Sequence, residues 1–221
     1  TKATPCTSTT VLGPDPDGDP FDAKWDYRSV IGKLNFLEKS TRCDISYSVH
    51  QCARFMASPK KSHQEAVKRI GRYLLGTRDK GLIIKPDRTK GFECYVDADF
   101  CGGWDPKIAM ECPETAKSRY GFVVKIYGVP IYWCSKMLTC HALSTAESEY
   151  LGLSNAARYV KGSIYLMEEI NRKYCKMDTI PTVKCTLFED NSAALEIARV
   201  PKMRPQTRHI KYTRLVLQDW R

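Results

Sequence analysis

The stretch Phe92-Glu93-Cys94-Tyr95-Val96-Asp97-Ala98-Asp99 decides how the chain is read. Phe92, Cys94 and Val96 alternate with Glu93, Tyr95 and Asp97, the period of a strand with one buried face. Upstream of Pro86 the rhythm is helical. Val30, Ile31, Leu34 and Leu37 recur at helical spacing from Tyr27 on. A second helix is expected after Asp44 as N-cap, with the stripe Ile45, Val49, Cys52, Ala53 and Met56, closed by Pro59. A third is expected from Ser62, with Glu65 completing a capping box, and ends at Gly76. Its inner face is Val67, Ile70 and Leu74, and Lys68, Arg69 and Arg72 lie off that face. Three short helices in a row predict a small bundle.

Downstream of Phe92 the pattern predicts a meander and then a crossover. Tyr120 to Tyr127 is a second strand, Gly128 to Pro130 a turn, and Ile131 to Ser135 the start of a third strand. A long helix follows from about Thr145 to Arg172, with the stripe Glu149, Leu153, Ala156, Val160, Ile164 and Met167. Val183 to Phe188 reads as a fourth strand, Asn191 to Ala198 as a short helix, and His209 to Trp220 as a further helix. The expected fold class is α/β: a mixed sheet with a long packed helix, preceded by a small helical subdomain. Residues 1–26, with four prolines and five aspartates, read as a linker. The helical subdomain covers 27–85 and the α/β domain 86–221.

Composition bounds the function. A chain of 221 residues with 43% hydrophobic and 27% charged content supports one moderate domain or two small ones, and excludes overall disorder. The formal net charge of +10 suits a polyanion; nucleic acid is the natural candidate, and an anionic membrane surface or simple solubility also fits. Thirteen basic and four acidic residues between Tyr27 and Lys85 concentrate a net +9 in the helical part, either a solvated surface or a track for phosphates. The ten cysteines have no Cys-x-x-Cys spacing, and no second Cys and His cluster completes a zinc site around Cys140 and His141. Thr1 to Pro20 is polar, unlike a secretory segment, and no apolar stretch reaches bilayer length. Free thiols and an intracellular setting, cytoplasmic or nuclear, without a membrane partner, are expected.

Three carboxylates stand where this architecture brings them together. Asp97 ends the first strand and Asp190 ends the fourth. If those strands are parallel neighbours, both project from one edge of the sheet. Glu149 lies on the apolar stripe of the long helix, where a carboxylate is costly unless paired, hydrogen-bonded or metal-bound. Hard oxygen ligands suit Mg2+ or Mn2+ rather than zinc. Glu147 has capping-box spacing from Ser144 and reads as the helix cap. Asp99 shares the face of Asp97 and either supports the site or only terminates the strand. Glu189 points opposite Asp190 and is expected to face solvent or a local salt-bridge partner.

The same residues carry a resemblance. Tyr95-Val96-Asp97-Ala98-Asp99-Phe100-Cys101-Gly102 resembles the first-strand motif of the ribonuclease H domain in copia-type retrotransposon reverse transcriptases. Leu143 to Tyr150 resembles the start of its long helix, Glu189 to Ala194 its fourth-strand motif, and Pro205 to Ile210 the basic segment that follows. Tyr27 to Leu37, Arg42 to Tyr47 and Ala66 to Leu74 are similar to the thumb-like region preceding that domain. The resemblance implies a ribonuclease H-like fold. It implies Asp97, Glu149 and Asp190 as catalytic and metal-binding residues, Mg2+ (or Mn2+) as cofactor, and cleavage of the RNA strand of RNA–DNA hybrids. Lys68, Arg69, Arg72, Arg208, His209 and Lys211 are the expected nucleic-acid contacts. Expected partners are RNA–DNA hybrid or other duplexes and the rest of a reverse transcriptase polyprotein.

The departures qualify that expectation. No polymerase palm stands in this sequence, so DNA synthesis is not expected. Cys43 and Lys211 stand where the family usually has Pro and Asp. The family's domain continues to a fifth strand and a last helix with a fourth catalytic aspartate, so 86–221 reads as a ribonuclease H-like domain lacking both. Slow or absent cleavage by these residues alone is expected. A non-catalytic nucleic-acid-binding remnant and a domesticated protein-interaction module are the competing readings.

Overall fold

The computed structural model describes residues 1–7, 11–22, 24–110, 112–174 and 183–199. It separates into two compact units. One comprises Thr1–Ile83 and Cys101–Lys117, and the other comprises Ile84–Phe100 and the chain from Ser118 on.

The first unit is helical. Helix α1 spans Tyr27–Ser40, α2 Ser46–Ala53 and α3 Lys61–Leu75. Asp26 starts α1 by accepting from the Arg28 and Ser29 N–H groups at 3.0 and 3.3 Å. Ile31, Leu34, Ile45, Val49, Cys52, Val67 and Ile70 form the core. The Tyr27 hydroxyl donates to the Cys52 carbonyl at 3.0 Å, tying α1 to α2. Leu12, Phe21 and Trp25, from the stretch read as a linker, pack against this core.

Two expected caps are different in the structure. Asp44 does not cap α2; it lies in a 3-10 turn, Cys43–Ile45, and accepts from the Arg42 guanidinium at 2.8–2.9 Å and the Tyr73 hydroxyl at 2.6 Å. A partly buried carboxylate gains more from a charged fork and a phenol than from one backbone N–H. Burial alone raises the Asp44 pKa, but those donors outweigh it and hold the carboxyl below its ordinary range. At the start of α3, the His63 ring rather than Glu65 reaches back, accepting from the Lys60 N–H at 2.8 Å. Glu65 pairs instead with Lys68.

The second unit is the expected mixed sheet under a long helix. Strands β1 (Phe92–Asp99), β2 (Arg119–Ile126), β3 (Val129–Met137) and β4 (Cys185–Phe188) lie in the order β3-β2-β1-β4. The β1–β2 and β2–β3 pairs are antiparallel, and β1–β4 is parallel. The β2–β3 hairpin turns through Tyr127 and Gly128, both at positive φ (52° and 78°), the two-residue turn whose twist matches paired strands. Pro130 is tolerated because β3 is an edge strand of this sheet. Helix α4 (Thr145–Tyr174) buries Leu153, Ala156, Ala157 and Val160 with Cys94, Val96, Phe122 and Val124 of the sheet. Helix α5 (Ser192–Arg199) follows β4, and the Asn191 side chain accepts from the Ala194 N–H at 3.0 Å as its cap.

The fold class is therefore that of a ribonuclease H-like α/β domain preceded by smaller helices. The helix expected over His209–Trp220 lies outside the described residues. Among the described residues, no helix is long and apolar enough to cross a membrane.

Candidate metal centre

The parallel pairing of β1 and β4 sets the site. Tyr95 stands opposite Phe188, so Asp97 and Asp190, two residues further along each chain segment, arrive at one edge of the sheet. Both side chains are exposed, while Cys94, Val96 and Ala98 point to the core on the alternate face. Helix α4 delivers the third carboxylate. Its start is fixed by Ser144 Oγ, which accepts from the Glu147 N–H at 3.2 Å, and by the Glu147 carboxylate, which accepts from the Leu143 N–H at 2.8 Å. Glu147 thus has the capping role expected of it. Two residues on, Glu149 is buried against the sheet. Gly152 lets this turn approach closely, since a Cβ there would stand 3.2 Å from Tyr120 Cβ and 3.6 Å from Ala98 Cβ. Asp97, Glu149 and Asp190 offer carboxylate oxygens that all lie within 4.8 Å of one another.

Glu149 is 5% exposed, and its Oε2 is buried without a hydrogen-bond partner among the described residues. Burial pushes its pKa up to about 7, helped by the charges of Glu189, Asp97 and Asp190, while the Ala98 N–H opposes the rise by holding the charged form. An orphaned, desolvated carboxylate beside two exposed ones is strained by like charge. A divalent cation relieves that strain, and an all-carboxylate donor set is the chemistry Mg2+ or Mn2+ prefers. The residues fit such an ion.

Glu189 departs from its expectation. β4 ends at Phe188, and Glu189 is buried rather than solvent-facing: it is 9% exposed, its Oε1 accepts from the Asn191 N–H at 3.1 Å, and its Oε2 has no hydrogen-bond partner among the described residues. The reason is the strand's phase. Cys185 and Leu187 pack against the core, and Glu189 continues their side of the pleat. That phase was present in the sequence. Asp99 is exposed and lies outside the three-carboxylate group.

The basic residues on α3 are partly neutralised. Lys68 Nζ lies 2.9 Å and Arg72 4.0 Å from the same Glu65 carboxylate, so the trio retains one positive charge. The Arg69 guanidinium donates to Thr4 Oγ1 at 2.9 Å. Arg208, His209 and Lys211 lie outside the described residues.

No protein-family model matches the chain. Among curated proteins it is 30% identical to a retrovirus-related Pol polyprotein from transposon RE1 of Arabidopsis thaliana, over 91% of this chain and 13% of that protein. It is also 30% identical to a retrovirus-related Pol polyprotein from transposon TNT 1-94 of Nicotiana tabacum, over 85% of this chain and 13% of that protein. The chain thus spans about an eighth of the length of these polyproteins. A third relative, secreted RxLR effector protein 161 of Plasmopara viticola, is 33% identical over 60% of this chain and 87% of its own length. With the ribonuclease H-like sheet and its clustered acidic triad, this likeness shows homology to copia-type retrotransposon Pol polyproteins over most of the chain, consistent with a ribonuclease H-like domain.

Proposed function

We propose that the chain carries a divalent-cation-dependent ribonuclease H centre that cleaves the RNA strand of RNA–DNA hybrids as part of a Pol polyprotein. The observation that carries this reading is the buried Glu149 with an unpartnered Oε2 between the exposed Asp97 and Asp190. These three residues would hold Mg2+ or Mn2+. The bound metal would supply activation of a water and charge neutralisation at the scissile phosphate and the leaving oxygen. Asp97 and Asp190, exposed at the sheet edge, are accessible to a phosphodiester. Glu149, fixed by its helix and the Ala98 N–H, holds its oxygen in place from below. With carboxylates in these roles, no nucleophilic side chain is required.

The helices of residues 27–85 are proposed to grip the duplex as a thumb-like subdomain. Lys68, Arg69 and Arg72 would contact phosphates, as would Arg208, His209 and Lys211. Such contacts read shape and backbone rather than sequence. DNA synthesis is not proposed.

The test is a hybrid-cleavage assay with Mg2+ or Mn2+, with chelator, and with Asp97→Asn and Glu149→Gln. Slow or absent cutting by these residues alone, and metal-dependent cutting of the RNA strand once the family's last strand and helix are supplied, lost in both variants, are the expected results. Cutting that survives chelation or either substitution overturns the assignment. One observation favours a second reading, a domesticated binding or interaction module: the relative that this chain covers almost fully is named an effector, not a polyprotein. Hybrid binding with no cation-dependent cleavage, even with the family's last strand and helix supplied, would select it.

A further inference from the structure

Of the carboxylates near the sheet edge that the triad leaves without a role, Glu189 is the buried one. We propose that Glu189 is an outer-sphere carboxylate of the same centre, holding the divalent cation's position from the core side of the sheet. This inference rests on the divalent-cation reading above.

Three observations carry it. Glu189 is 91% buried, yet only one of its oxygens is engaged: Oε1 accepts from the Asn191 N–H at 3.1 Å, and Oε2 is buried with no partner. An unmet buried acceptor costs about 1–3 kcal/mol, so Oε2 gains from any partner the centre supplies. Secondly, the unpaired oxygens are two, not one, because Glu149 Oε2 is in the same condition. Thirdly, just past the end of β4, Glu189 is buried and the adjacent Asp190 is exposed. The centre therefore has an exposed rim, Asp97 and Asp190, and a buried floor, Glu149 and Glu189.

The group whose oxygens meet within 4.8 Å does not include Glu189. Its part is thus outside the inner set, through its charge and a bridging water from Oε2. Outer-shell partners of this kind orient the inner ligands and typically change metal affinity by about 10–100-fold. Glu189 is accordingly a positioning residue and not a catalytic one.

The experiment is Mn2+ titration of the full chain by calorimetry and by electron paramagnetic resonance, together with thermal unfolding with and without Mn2+. The variants are Glu189→Gln and Glu149→Gln. Glutamine at 189 keeps an oxygen for the Asn191 N–H, removes the charge and puts an NH2 donor in place of the Oε2 acceptor. The expected result is that Glu189→Gln weakens Mn2+ binding by about tenfold or more. Without metal it unfolds no lower than the parent, because a buried like charge is gone, and its stabilisation by Mn2+ shrinks. A merely structural role would lower the unfolding temperature equally with and without metal and leave affinity unchanged; that result overturns the proposal. If the parent binds Mn2+ and loses it in Glu149→Gln but not in Glu189→Gln, the triad stands and the role of Glu189 fails. If the parent binds no Mn2+ at all, both fail.

Discussion

Tyr95 of β1 and Phe188 of β4 stack across the parallel pair, with ring centroids 4.7 Å apart and planes 12° from parallel. Each ring is followed two residues later by an aspartate of the candidate centre, Asp97 and Asp190. The Lys125 ammonium lies 4.7 Å from the Tyr95 ring centroid and adds a cation to the same face. The stack therefore clamps the two strands at the point where they must deliver their carboxylates together.

Removing that clamp should loosen the site before it unfolds the domain. An aromatic pair contributes about 0.5–1.5 kcal/mol beyond its buried area. Both rings are about two-fifths exposed, so Phe188→Ala should lower stability by roughly 1–2 kcal/mol. The larger effect should fall on Mn2+ affinity, because β4 is only four residues long and has little else to fix its end. Chemical denaturation and metal titration of the same variant check this. A variant with lowered stability and unaltered affinity would show that the stack does not position Asp190.

Gly152 makes a comparable prediction for the helix side. A branched or long side chain there meets Tyr120 Cβ and Ala98 Cβ, which belong to strands and cannot swing away. Gly152→Leu should therefore push the first turns of α4 off the sheet and carry Glu149 with them. Overpacking of this kind costs about 1–3 kcal/mol. Cation binding should be lost at temperatures where circular dichroism still shows a folded chain. Binding preserved in a folded Gly152→Leu would remove the close approach from the account of the site.

The sheet, the long helix and the three carboxylates were legible because their signals are local and periodic. Alternation in Phe92–Asp99 places Asp97 on the open face, and helical spacing places Glu149 on the stripe with Leu153, Ala156 and Val160. The errors arose where several side chains compete for one polar group. Asp44 has the spacing of a cap, but Arg42 and Tyr73 reach it from elsewhere in the fold. Glu65 has the spacing of a capping box, but His63 takes that donor while Glu65 meets Lys68. Glu189 was misread for another reason: the side opposite an exposed residue at the end of a strand over a core is the core, not solvent.

His63 predicts a pH dependence for the helical unit. Its Nδ1 accepts from the Lys60 N–H at 2.8 Å, so the neutral ring carries its proton on Nε2, which donates to the Gly13 carbonyl at 2.8 Å. The ring is fully buried and stacks on Phe55 with centroids 4.2 Å apart. Burial lowers its pKa from 6.5; the Gly13 carbonyl and Asp15 oppose this, and Lys60 assists it. A depressed histidine pKa means that the unfolded chain takes up the proton first. The contribution is therefore fully present above pH about 6.5 and is lost as pH falls below it toward the folded value. Denaturation midpoints of the parent should decline between pH 7 and about 5, above the range where most carboxylates titrate. In His63→Gln that decline should flatten. An equal slope in both proteins would assign the pH dependence to other groups.

Charge reversal on α3 tests the proposed grip. Lys68 and Arg72 share Glu65, so the parent trio presents one net positive charge, and a phosphate competes with Glu65 for both cations. Lys68→Glu leaves two like carboxylates one turn apart, Arg72→Glu leaves two like carboxylates two turns apart, and either turns the trio negative. Both side chains are about half exposed, so each substitution should change folding stability by less than about 1 kcal/mol. Duplex affinity should fall for hybrid, RNA and DNA alike, since phosphates carry no sequence. The diagnostic is the salt dependence. Each phosphate contact contributes about 0.9 to the slope of log affinity against log salt, so the slope should fall by about one per lost contact. Fluorescence anisotropy with a labelled RNA–DNA hybrid between about 50 and 200 mM salt measures it. A variant with weaker binding and an unchanged slope would mean that these side chains act on the fold of α3 and touch no phosphate. Unchanged affinity in both variants would move the nucleic-acid surface elsewhere on the chain.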